Sequence, residues 1–152
     1  MKKIHAFALC ALVLAGCSSA EKEQREAQAY ARNESGLATA QHNATVTCGD
    51  QAQCDTAWSL TKRYIEQQSD TSVTRADAVA IETDVPSGSG KVAFSATRIA
   101  NGTGATLTLF AQCRGMYGPE NAKGSDYDDC VKKILKTQNG YVTYLRTHAP
   151  GQ

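Results

Sequence analysis

The chain has 152 residues, 41% of them hydrophobic, and a formal net charge of +1. That length allows one domain with a modest core, and the near-neutral balance builds no basic patch, so nucleic acid is excluded as an expected partner. Its three histidines, His5, His42 and His148, are scattered, which argues against a histidine-rich metal site and against a Ser-His or Cys-His catalytic pair.

Lys2 and Lys3 precede a short apolar run, Ala6 to Ala15. A bilayer-spanning helix needs about 20 apolar residues, so the run reads as an export leader and is set aside from fold reasoning. It ends in Leu14-Ala15-Gly16-Cys17. This arrangement resembles the signal peptide and lipobox of bacterial lipoproteins. The resemblance covers residues 1–18 and implies cleavage before Cys17, with lipid on its sulfur and often on its new amino group. One acyl chain binds a bilayer only reversibly, and each buried methylene adds about 0.8 kcal/mol, so several chains on one residue anchor stably. Ser18 follows the cysteine where an aspartate would retain the protein at the inner membrane, so the resemblance implies an outer-membrane anchor with the body facing the periplasm.

Without Lys2 and Lys3 the chain carries one more acidic than basic residue. Residues 17–45 are small and polar. Glu21 to Arg32 contains helix formers but no apolar residues at helical spacing, so it has no face to bury. The segment is expected to be a lipidated tether, followed by a globular domain over 46–152.

Cys48, Cys54, Cys113 and Cys130 remain after Cys10 and Cys17 are assigned to the leader and the lipid. An even number in an exported domain implies disulfides. Three pairings are possible, and the most local, Cys48–Cys54 with Cys113–Cys130, is favoured. A zinc site would normally show C-x₂₋₄-C pairs, which neither spacing provides.

Asp55 suits a helix N-cap, and Ala57, Trp58, Leu60, Thr61, Tyr64 and Ile65 recur at helical spacing, predicting a helix over 55–68. Val79 and Ile81 mark a strand that ends before Val85-Pro86. Val92, Phe94 and Ala96 alternate with Ser95 and Thr97 in a second strand. Asn101-Gly102 supplies a turn, and Leu107, Leu109, Ala111 and Cys113 alternate with Thr106, Thr108 and Gln112 in a third. The last two strands are expected to form an antiparallel hairpin with one apolar face that needs a cover. Ser125 or Asp126 can cap a second helix bearing Tyr127, Cys130, Val131, Ile134, Leu135 and Gln138 on one stripe, with Asn139-Gly140 as its stop. Tyr141 to Leu145 has strand composition and reads as a fourth strand, although a resumed helix also fits Leu135, Val142 and Leu145. The expected architecture is α+β: an antiparallel sheet of three to four strands covered by two helices and braced by two disulfides.

Candidate chemistry is sparse. Asp126, Asp128 and Asp129 with Asn121 lack the spacing of a calcium loop and are explained by an acidic first helical turn. Gly88-Ser89-Gly90-Lys91 lacks the phosphate-loop pattern and precedes a strand, so no cofactor is expected and no metal ligand is assigned. Arg75 and Arg98 are read as exposed strand residues. Tyr117, Tyr127, Tyr141 and Tyr144 make the C-terminal third tyrosine-rich, and Tyr117, Tyr141 and Tyr144 are the candidate partner-binding residues because tyrosine is enriched at interfaces. The expected function is a lipid-anchored, non-enzymatic envelope module that binds an envelope protein through a sheet edge or this tyrosine-rich end. An inhibitor of a periplasmic or foreign hydrolase is the alternative, and a hydrolase with an unrecognised site is the weakest reading.

Overall fold

A computed structural model describes residues 4–118 and 124–149, with side chains from Ser19 onward. The chain forms two compact units, Met1–Gly36 and Leu37–Gln152. The first is occupied by helix α1, Ile4–Asn43, whose last turns belong to the second. Among the described residues no helix is long and apolar enough to cross a membrane.

The second unit continues with β1 (Thr45–Cys48), α2 (Gln51–Gln68), β2 (Val73–Ala76), β3 (Ala80–Thr83), β4 (Val92–Asn101), β5 (Gly104–Cys113) and α3 (Tyr127–His148). The five strands form one antiparallel sheet in the order β1-β5-β4-β3-β2. Helices α2 and α3 pack on one face, against β4 and β5. The α+β architecture and both favoured disulfides, Cys48–Cys54 and Cys113–Cys130, are present. The sheet has five strands because β1 and β2, each only four residues long, add to the three strands read from alternation.

The hairpin follows the expected faces. Val92, Phe94, Ala96, Leu107 and Leu109 are buried beneath the helices. Ser95, Thr97, Thr106 and Thr108 lie on the opposite face and are only half-buried. The β4–β5 register closes at Asn101↔Gly104, leaving Gly102 and Thr103 as the turn. Gly102 has φ +61°, the left-handed conformation that glycine adopts without a Cβ penalty.

Several boundaries differ from the sequence reading, for identifiable reasons. The compact unit starts at Leu37, ahead of Val46. Ala40 and Ala44 are buried. Gln41 Nε2 donates to Leu109 O at 3.1 Å, and Gln138 Nε2 donates to Gln41 Oε1 at 2.8 Å. These contacts recruit small and polar residues that carry no hydrophobic periodicity. Helix α2 is capped one turn before Asp55, by Asp50, whose carboxylate accepts from Gln53 N at 2.9 Å. That start places Cys54 inside the helix, fully buried, beneath β1.

Tyr141–Leu145 is helix, and α3 runs unbroken through Asn139-Gly140. Gly140 serves close packing here: a Cβ at that position would stand 3.0 Å from Tyr64 Oη. The missing side chain lets α2 and α3 approach, and burial on both sides of the Asn-Gly pair outweighs its low helix propensity. Tyr64 Oη donates to Thr137 O at 2.7 Å, and the Tyr64 ring lies 5.7 Å from Tyr141 and 4.6 Å from Tyr144 between centroids.

Arg98 is on the covered side of the sheet. Its side chain is 13% exposed, and Nη1 donates to Asp55 Oδ1 at 2.8 Å. Arg98 shares the parity of Val92, Phe94 and Ala96, so alternation itself turns it toward α2. The bond to Arg98, reinforced by the Gln51 amide, holds the Asp55 carboxyl below the usual carboxylate range. Burial alone would raise the Asp70 carboxyl, but Lys133 and the Val92 amide together override it and hold it low. Asp70 thereby ties the end of α2 to the start of β4 and to α3.

Burial raises the phenols of Tyr64 and Tyr141 from 10.0 to about 12 each, and in each case a neighbouring tyrosine adds to the effect. Between about pH 10 and pH 12 the folded protein therefore keeps protons that the unfolded chain has lost. Stability is complete below pH 10 and falls as pH rises through that window, at about 1.4 kcal/mol per pH unit for Tyr141 alone. Tyr64 acts in the same direction. Urea midpoints at pH 9, 10 and 11 are expected to decline, and a Tyr141→Phe variant is expected to flatten the decline.

Candidate functional site

The two edges of the sheet are built differently. An edge strand exposes unpaired backbone groups that can template another chain, and proteins defend such edges with charges and bulges. At β2 the defence is present. Arg75 pairs with Asp77 at 2.7 Å and with Glu82 at 3.1 Å, and the register shifts between Val73 and Arg75. The Asp77 carboxylate also accepts from the amides of Val79 and Ala80, both at 2.9 Å. Those two amides, ahead of the bond from Arg75, hold its pKa low.

Strand β1 reads Thr-Val-Thr-Cys and carries no charge. Leu109 N donates to Ala44 O at 2.9 Å, just ahead of the strand. In an antiparallel ladder the hydrogen-bonded pairs alternate, so Val46 and Cys48 continue that pattern toward β5. The amides and carbonyls of Thr45 and Thr47 point away from the sheet. Both threonines are exposed.

Beside this edge lies a cleft of about 460 Å³, within the roughly 300–1,000 Å³ range of ligand pockets. Its walls come from β1, the N-terminal half of α2 and the C-terminal end of α3, with Val46, Ala57, Leu60 and Leu145 supplying the apolar surface. The Cys48–Cys54 disulfide, with Cα atoms 5.3 Å apart, fastens the strand to the helix at one end of the cleft. Thr47, Gln53, Thr56 and Arg146 are the residues with polar side chains around it. Arg146 is exposed and forms no ion pair among the described residues. An added strand would run about 4.8 Å outside β1, and every second side chain would face the helices and enter the cleft.

The residues singled out from sequence separate in space. Tyr141 is fully buried, and its hydroxyl is 2.8 Å from Thr61 Oγ1. It is a core residue and presents nothing to a partner, because the predicted strand that would have exposed it forms the fourth and fifth turns of α3. Tyr144 is half-buried between Tyr64 and His148, with ring centroids 4.6 Å and 4.1 Å away. Tyr117 is 56% exposed and borders a second cleft of about 360 Å³ lined by Gln41, Met116, Ile134 and Gln138. The three tyrosines therefore form no common surface. The Cys17 side chain and Asn121 lie outside the described residues. Arg75 is exposed as expected, and Asp128 and Asp129 occupy the first turn of α3. Among the described residues no group of three or more His, Cys, Asp or Glu side chains converges as a metal-binding set.

Sequence reasoning passed over β1 and Arg146. The available signal was the β-branched run Thr45-Val46-Thr47 directly before Cys48; a four-residue strand is too short for alternation to register. Comparison with protein-family models, with curated protein sequences and with solved structures returned no match for this chain.

Proposed function

We propose that the protein is a lipid-anchored module of the bacterial envelope that binds an extended segment of another envelope protein as a sixth strand beside β1. The observation that carries this reading is the contrast between the two edges. The β2 edge is charged and bulged, while the β1 edge is uncharged, exposed and bordered by an apolar cleft. Main-chain bonds to Thr45 and Thr47 would supply general affinity, and the cleft would select the side chains between them. The anchor rests on the lipobox run Leu14-Ala15-Gly16-Cys17 with Ser18 after it, and places the module at the periplasmic face of the outer membrane.

Photo-crosslinking in intact envelopes tests both halves. A photoreactive residue at position 45 is expected to trap one envelope protein at a defined extended segment, while the same residue at position 75 on the defended edge traps none. Thr47→Pro removes only an outward-pointing amide, leaves the ladder to β5 intact, and is expected to abolish the crosslink. Cys17→Ser is expected to release the protein from the membrane fraction. Equal crosslinking from both edges, or a membrane-bound Cys17→Ser protein, refutes the corresponding half.

A further inference from the structure

We infer that the segment docking at β1 carries an aspartate or glutamate two residues from the apolar side chain that fills the cleft. This inference rests on the strand-addition reading and specifies its partner. Val46, Ala57, Leu60 and Leu145 give the cleft its apolar surface. Among the described residues, Arg146 is the one ionic side chain lining it, and it pairs with no carboxylate. Arg98, which β4 turns toward α2, is by contrast already neutralised by Asp55 at 2.8 Å.

A guanidinium at the margin of a partly dehydrated apolar cleft favours an anionic partner, because a charge-assisted bond there is stronger than one in open water. Successive residues of a strand alternate faces. The apolar side chain and the carboxylate both reach the helix side only at an even separation, and i and i+2 is the nearest such pair, which suits a cleft bordering a four-residue strand. Arginine against a carboxylate also sets the register of the added strand, which the main-chain bonds to Thr45 and Thr47 do not. A lysine at the same peptide position meets Arg146 and is disfavoured.

The test is selection from a phage library of random dodecapeptides, displayed with their C-termini fused to the coat protein, on the oxidised full-length protein in detergent. Recovered sequences are expected to carry an apolar residue with Asp or Glu two positions away. For such a peptide, Arg146→Glu is expected to weaken binding at least about ten-fold and to reverse the preference toward Lys or Arg. Should Arg146→Glu alter the thermal midpoint, Arg146→Gln replaces it. Wild-type affinity is then expected to fall as salt rises from 0.05 to 0.5 M on the order of a few-fold, and the Gln variant to show a weaker dependence.

Selected peptides without an acidic preference, or affinities unchanged by both substitutions, overturn the assignment of Arg146. If those peptides still lose binding in Thr47→Pro, strand addition stands and only the partner's charge is wrong. If no peptide is recovered, or binders ignore Thr47→Pro, both are overturned.

Discussion

Replacing Tyr141 with alanine is expected to destabilise the folded unit by about 3–5 kcal/mol, the range for deleting a large buried ring. Tyr141 is fully buried and is the largest of the side chains wholly removed from solvent. It stands where α3 meets α2, 5.7 Å from the Tyr64 ring. Total stability for a domain of this size is roughly 5–15 kcal/mol, so the substitution removes a large share of it. Tyr141→Phe is expected to be much milder, about 1 kcal/mol. The Thr61 hydroxyl has one proton, which it donates to Ala57 O at 2.8 Å. The bond between Thr61 Oγ1 and Tyr141 Oη, also 2.8 Å, is therefore donated by the tyrosine. Losing that donor leaves the Thr61 hydroxyl still donating to Ala57 O. Urea unfolding followed by near-ultraviolet circular dichroism checks both values. A Tyr141→Ala protein that unfolds within about 1 kcal/mol of wild type would show that this residue is not core.

The second large effect is expected from the longer disulfide. Cys113–Cys130 closes a loop with a sequence separation of 17, and Cys48–Cys54 one of 6. The chain-entropy relation assigns these about 3 and about 2 kcal/mol respectively. Cys113–Cys130 ties the end of β5 to the first turn of α3, and Cys130 is fully buried. The double variant Cys113→Ala with Cys130→Ala is expected to lower the thermal midpoint by roughly 10 °C. The Cys48→Ala with Cys54→Ala pair is expected to lower it less while loosening the strand that borders the cleft. Calorimetry on the oxidised proteins separates the two. A larger loss from the shorter loop would mean that native packing around Cys48 and Cys54, not unfolded-state entropy, dominates.

Legibility in the sequence followed the strength of the repeating signal. Two ten-residue strands joined by Asn101-Gly102 gave several periods of alternation, so the β4–β5 hairpin and its buried face were readable residue by residue. The stripe Tyr127, Cys130, Val131, Ile134 was readable for the same reason; the even cysteine count implied disulfides, and the most local of the three pairings is the one present. Strands β1 and β2 were too short for a period to repeat. Arg98 was misplaced because its charge was weighed above its parity, and parity decided. Asn139-Gly140 was read as a stop because propensity is local. In the folded unit Gly140 is where Tyr64 approaches α3, and the buried residues on either side hold the helix together.

The amino-acid sequence by itself determined the α+β class, the hairpin with its covered face, the two helical stripes and the chemistry that lets four cysteines close in local pairs, because each depends on residues near one another in the chain. The tertiary structure alone decided which strand ends the sheet undefended, that Tyr141 is core, that Ala40 and Ala44 join the folded unit, and that Arg146 overlooks an apolar cleft. These depend on which surfaces meet across many residues, where burial of area outweighs local propensity and no spacing rule carries the information.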